Sequence, residues 1–264
     1  MLFRSIRWTL GLAAISAEAE DPHWATNLLA GEPERAARYA PLAFNGFPSW
    51  LDSLAAAHPE VVERVLGSEL DFDLSGPAIA HGVSFLLQNI AGASPPLARL
   101  FVARLVSWLD AQDGKVREGD EPAAAAARLE RVIGVVVDFG TGEQISHVST
   151  QAKAALANGI ETPFARAWLP VLLKLDPTAG VDVLENGLST NLPEKSDEAV
   201  GWIANLFGDR FNRYSTVNLS APGFTPDLLL RLVRLGRGSR QRPWAYNCRG
   251  RAASPTPTRR AAAR

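Results

Sequence analysis

The chain has 264 residues, 47% of them hydrophobic, which is enough to bury a sizeable core. It contains no run of about 18 apolar residues, which excludes an ordinary membrane-spanning helix, and its single cysteine, Cys248, excludes an internal disulfide framework. The net charge of −1 conceals an asymmetry: residues 236–264 hold eight Arg and no acid, so residues 1–235 carry a net of −9, which argues against a broad nucleic-acid-binding face.

The N-terminus reads in two ways. Arg4, Arg7, the apolar run Trp8–Ile15 and Ala17-Glu18-Ala19 imitate a signal peptide, which would make the chain a secreted acidic helical protein. A first amphipathic helix with Ile6, Leu10 and Ala13 on its packed face is preferred, because the apolar run is at the short limit for secretion. A cytoplasmic location goes with that preference.

Helical periodicity dominates the body of the chain. A helix is expected over 78–91 on Ile79, Val83, Leu86, Leu87 and Ile90. Another covers 95–110 on Leu97, Leu100, Phe101, Leu105, Trp108 and Leu109, opened by Pro95-Pro96. Segment 122–138 comes next, with Leu129, Val132, Ile133, Val136 and Val137. Then come 143–157 with Ile145, Val148, Ala152 and Leu156, and 197–207 with Val200, Ile203, Ala204 and Phe207. Strand evidence is poor: 211–220 could be extended but shows no pairing partner.

Connections are short. Glu32-Pro33, His58-Pro59, Asp176-Pro177 and Thr225-Pro226 each end one helix and begin the next, since the residue before proline is pushed out of the α region. Asp113-Gly114, Asn158-Gly159 and Asn186-Gly187 mark turns or C-caps. The longest connector, Asp110 to Glu121, is charged and expected to be solvated.

One stretch is echoed 118 residues later without a gap. Residues 50–70 and 168–188 are identical at seven of 21 positions: the Trp, four Leu, the Val and the Pro. In each copy a helix ends at His58-Pro59 or Asp176-Pro177 and a second begins, with a stripe of Val62, Val65, Leu66 and Leu70 or Gly180, Val183, Leu184 and Leu188. Neither pair can bury its face alone, so stacking is implied, and the offset fits three two-helix units of about 39 residues.

Residues 168–177 (Trp-Leu-Pro-Val-Leu-Leu-Lys-Leu-Asp-Pro), followed by Val181, Val183, Leu184 and Leu188, resemble a HEAT-type repeat. The 50–70 copy has Asp52 where the Pro falls, and neither copy has the family's second-helix Arg. The resemblance implies an all-α, HEAT-like α-solenoid of stacked helix pairs over 1–235; composition alone sets 236–264 apart as a basic tail expected to be disordered. Residues 199–210 and 224–235 resemble helical regions of large bacterial NACHT-type ATPase proteins, some of which act in anti-phage defence. That resemblance implies a fragment of a sensor-like part. No Gly-x-x-x-x-Gly-Lys-[Ser/Thr] occurs, so no nucleotide site is expected. The abrupt change after Leu235 admits three readings: a basic, disordered tail for an acidic partner or nucleic acid, a solvated linker, or, preferred, a shifted reading frame, which would leave an uncapped final repeat prone to self-association.

No catalytic, cofactor or metal residue is assigned, and the binding residues are left open. His23, His58, His81 and His147 are scattered, none at helical ligand spacing from another. Asp71-Phe72-Asp73 has the two-carboxylate spacing of metal-dependent glycosyl transfer but reads as turn chemistry before Leu74-Ser75-Gly76-Pro77. Gly140-Thr141-Gly142 could face an anion, yet Thr141 as a helix N-cap accounts for it. Trp24 and Trp244, off the clear stripes, are candidate contact anchors. The expectation is therefore a non-enzymatic interaction module binding a protein. The alternative is an enzyme on a HEAT-like scaffold such as a DNA glycosylase, which would need Arg35, Arg38, Arg99, Arg104, Arg128 and Arg131 to cluster.

Overall fold

The computed structural model describes residues 2–43, 45–79, 85–188, 202, 206–207, 217–221 and 223–238, with the side chains of 2–7 and 236–238 left aside. Among the described residues there are twelve α-helices and no strand. They are α1 (Leu2–Glu18), α2 (Trp24–Asn27), α3 (Glu32–Tyr39), α4 (Trp50–Ala57), α5 (Pro59–Ser75) and α6 (Phe85–Ala91). The rest are α7 (Pro95–Asp110), α8 (Pro122–Phe139), α9 (Gly142–Ala155), α10 (Ala165–Leu175), α11 (Pro177–Leu188) and α12 (Pro226–Gly238). The chain is all-α, as its periodicity implies.

Helices pack on near neighbours in chain order. α3 lies on α5, α4 on α5 and α7, α7 on α8, α8 on α9 and α10, α10 on α11, and α11 on α12. One apolar core runs through these contacts from Trp24 to Leu232, and no polar residue among the described ones is wholly buried in it. The core is filled by the expected stripes: Leu97, Phe101, Leu105 and Leu109 of α7, Leu129, Val132, Ile133 and Val136 of α8, and Val148 and Ala152 of α9.

The two echoed segments build one kind of corner. His58 sits at φ −135°, ψ 55° and Asp176 at φ −142°, ψ 83°. Each donates its amide four residues back, to Leu54 and Leu172 carbonyls, and each carbonyl accepts four residues on, from Val62 and Gly180. A pre-proline residue held out of the α region gives this break, and the proline opens the next helix without losing a needed amide. Most equivalent side chains are buried alike: Trp50 and Trp168 are 5% and 6% exposed, and Leu51, Leu54 and Leu66 are as inaccessible as Leu169, Leu172 and Leu184, whereas Val65 and Leu70 are buried and Val183 and Leu188 only partly so.

Several local expectations need correction. α1 presents Leu12 and Ile15 to the core, with Ala19 just beyond its end, while Leu10 is 64% exposed and Ala13 is exposed too. The Trp8 ring meets Tyr39 at 5.2 Å, which fixes that rotation of the helix. The helix expected over 78–91 is α6, beginning at Phe85. Ala78 is instead tied to the 120–121 segment on both sides, its amide donating to Asp120 Oδ1 at 2.7 Å and its carbonyl accepting from Glu121. Ile79 is consequently exposed, and Val83 lies outside the described residues.

Asn186-Gly187 is no turn: α11 continues to Leu188, with Ile160 filling the space beside Gly187. Asp71-Phe72-Asp73 is likewise helical, inside α5. The last helix outruns the 235/236 boundary by three residues. Residues 239–264, Trp244, Cys248, His81, and most of 197–207 and 211–220 lie outside the described residues.

Candidate ligand cavity and groove

The 110–121 connector is mostly exposed, as its charge suggests, with the Asp120 side chain turned inward. Arg117 Nε donates to Asp120 Oδ2, and the Asp120 carboxylate is only 5% exposed. Arg117 and Arg128 converge on the end of α5. Arg128 Nη1 donates to the Leu74 and Gly76 carbonyls at 3.2 and 2.8 Å, and Arg117 Nη2 reaches the same two oxygens. Those carbonyls have no helical partner, and cations are favoured at a helix C-terminus, so the pair caps α5.

Beneath the connector lies a cavity of about 290 Å³ walled by α7, α8, α9 and the start of α10. Trp108, Phe164 and Trp168 supply aromatic walls, Leu109, Ala125, Leu129 and Ala155 apolar ones, and both charge signs are present, with Lys115, Arg117 and Arg128 beside Asp113 and Asp120. Burial pushes the Arg128 guanidinium below its ordinary value, with Arg117 adding repulsion and Asp120 and Asp73 opposing it. Among the described residues Arg128 has no ion-pair partner, and its Nε and Nη2 make no hydrogen bond.

Gln151 Nε2 donates to Asp110 Oδ1 at 2.6 Å, where His147 Nε2 also bonds. That contact orients the amide, because turning it would set Oε1 against a carboxylate. Gln151 Oε1 is then buried with no partner.

Continuous with the cavity through Trp108, Gln112, Asp113 and Arg117 is an open groove of about 860 Å³ between α5 and α7. Arg104 crosses it, donating from Nε and Nη2 to Glu63 Oε1 at 3.1 and 2.5 Å and from Nη1 to Asp71. The Glu63 bond is the main reason the Arg104 guanidinium is held above its ordinary value. Gly67 permits the crossing, since a Cβ there would stand 2.6 Å from Arg104 Nε.

Asp71, Arg104 and Arg128 stand out in the sequence only for chemistries other than this one, and Gln151 does not stand out at all. Arg128 and Gln151 are each one of several polar positions on α8 and α9, and only their partial burial marks them.

Other sequence candidates resolve as structural. Trp24 is 8% exposed and meets Trp50 edge-on at 5.8 Å, so it is core and no surface anchor. His58 Nε2 bonds the Ala25 carbonyl at 2.8 Å, as a corner residue would. Thr141 caps α9 in a capping box with Gln144. Of the six arginines a nucleic-acid groove would need, Arg38 is bound to Glu34, Arg104 to Glu63 and Asp71, and Arg128 to backbone carbonyls. Among the described residues no cluster of three or more His, Cys, Asp or Glu could hold a metal, and no helix is long and apolar enough to cross a membrane. Comparison with protein-family models, with curated proteins and with solved structures returned no match, so the site is read from its own chemistry.

Proposed function

We propose that the chain is a non-enzymatic interaction module, a HEAT-like array of stacked helix pairs whose α5–α7 groove receives a segment of a partner protein. What carries the reading is the corner that recurs 118 residues apart with its Trp and three of its leucines buried alike, together with an open groove beside the first copy. Helices that pack on near neighbours in chain order behave as quasi-one-dimensional arrays, and such arrays present long concave surfaces. The groove mixes Glu63, Asp71 and Asp113 with Arg104 and Arg117, a lining suited to a polypeptide with both charge signs rather than to a polyanion. Engagement of Arg38, Arg104 and Arg128 inside the chain disfavours the glycosylase alternative.

The test is affinity capture with the full chain and with Ala103→Trp, which places a bulky ring in the groove at an exposed α7 position. A protein recovered by the parent and lost by the variant, at unchanged helical circular dichroism, supports the reading. Identical recovery by both proteins, or none by either, removes it.

A further inference from the structure

The cavity beneath the connector and the α5–α7 groove share Trp108, Gln112, Asp113 and Arg117 as lining, so a segment lying in the groove runs past the cavity. Three features say what would enter it. Its walls are rings, Trp108 from α7 and Phe164 and Trp168 from the start of α10, and Leu109, Leu129 and Ala155 add aliphatic surface. Another ring can stack or meet edge-on against such walls, an arrangement that an aliphatic chain cannot make.

Its charges are matched. Lys115, Arg117 and Arg128 stand with Asp113 and Asp120. Arg117 is bound to Asp120, the Asp113 carboxylate holds the Lys115 amide, and Arg128 donates to the Leu74 and Gly76 carbonyls. Such a lining selects neither an anion nor a cation, and a neutral occupant leaves every one of these bonds in place. Half-buried Arg128 adds a preference for rings, since a desolvated guanidinium is attracted to an aromatic face. The volume is about 290 Å³. An apolar cavity of roughly 150 Å³ holds benzene, so a phenol or indole side chain fits here.

We propose that the cavity receives an uncharged aromatic side chain of the partner segment that lies in the α5–α7 groove, set against Trp108, Phe164 and Trp168. The assignment rests on the docking reading and names what the partner segment must carry. A ring in a desolvated pocket anchors an interface, because a few aromatic side chains carry most of the binding energy.

N-acetyl-tryptophanamide presents such a ring with no net charge and needs no partner. Saturation-transfer NMR on the full chain is expected to show millimolar binding of this probe, at least about tenfold tighter than that of N-acetyl-leucinamide. Ala154→Phe and Ala155→Leu each fill the cavity from α9, and each should abolish that binding at unchanged helical circular dichroism. Ala154 is exposed, so its variant keeps the fold. Ala103→Trp, out in the groove, should leave the probe bound. In affinity capture both filled variants should recover at least about tenfold less partner than the parent does. No binding of millimolar N-acetyl-tryptophanamide overturns the proposal, as does equal binding of the two amides, or binding that both filled variants retain. A partner lost by Ala103→Trp but kept by both filled variants overturns the anchor and leaves the groove reading standing. No partner recovered by the parent or any variant overturns both.

Discussion

At the first corner the buried positions flanking the break are Ala55 and Val62; at the second, 118 residues on, they are Leu173 and Gly180. At this pair of positions side-chain volume has moved from the second helix to the first, while Val181, fully buried, stands where the first corner has Glu63. A Cβ on Gly180 would stand 2.7 Å from Leu173 Cδ2, so the glycine is what the larger leucine requires. The polar fittings differ as well. His58 reaches back to the Ala25 carbonyl on α2, whereas Asp176 accepts from the Ala179 amide at 3.1 Å and from Lys153 of α9 at 2.8 Å. Backbone and buried leucines define the corner, and the remaining positions are negotiated with whichever helix stands alongside.

The largest expected effect tests what the corners share. Leu54→Ala and Leu172→Ala each remove a fully buried side chain whose carbonyl holds the break, and each should cost about 2–5 kcal/mol in urea unfolding. Similar losses, within about 1 kcal/mol, would support equivalence. A mild loss at Leu172 alone would show that the second corner is not built like the first.

The exchange of volume gives a sharper test at somewhat smaller cost. Gly180→Val alone drives a branched side chain into Leu173 and should cost about 1–3 kcal/mol. Leu173→Ala alone should cost about 2–5 kcal/mol. The double variant installs the Ala–Val pair of the first corner, and its loss should fall short of the sum by at least ~1 kcal/mol. Additive losses would mean that the register match between 55/62 and 173/180 has no packing content.

Much of this architecture was legible because helices announce themselves at period 3.6 and corners at polar-Pro steps. α7, α8 and α9 fall on Leu97–Leu109, Leu129–Val137 and Val148–Leu156 as the stripes require. What the stripes omit is rotation and pairing. Leu10 looked like a packed position of α1, but Tyr39 sits where Trp8 meets it and turns Leu10 outward. Ile79 reads as helical, but hydrogen bonds to Asp120 and Glu121, more than 40 residues away, hold Ala78 outside any helix. The cavity was illegible for the same reason. Arg128 and Gln151 gain their meaning only when the connector folds Asp120 inward and the start of α10 brings Phe164 and Trp168 beside them.

The polar fittings predict a smaller, pH-dependent difference between the corners. The Asp176 carboxyl is held below its ordinary value, chiefly by the Lys153 ammonium and next by the Ala179 amide. A carboxyl with a depressed folded-state value stabilises above its unfolded value, about 3.9, and loses that contribution as pH falls through the folded one. Asp176→Asn should therefore be less stable than the parent at pH 7, by about 1 kcal/mol or less, and should converge with it below about pH 3. Urea midpoints from pH 7 to pH 2 measure this; parallel curves over the whole range would deny the carboxylate its role.

The smallest effect separates the two partners of Asp176. Lys153 is 50% exposed, so water and salt screen its pull even though it lowers the carboxyl most. Lys153→Met should cost about 0.5 kcal/mol or less, and the cost should vanish in about 1 M salt. The Ala179 amide is a backbone donor in the first turn of α11, and no salt removes it. If Lys153→Met costs as much as Asp176→Asn, the ion pair and not the cap distinguishes the second corner. If it costs clearly less, Asp176 acts mainly as the N-terminal cap of α11, a bond that no side chain makes at the start of α5, where His58 leaves the amides uncapped.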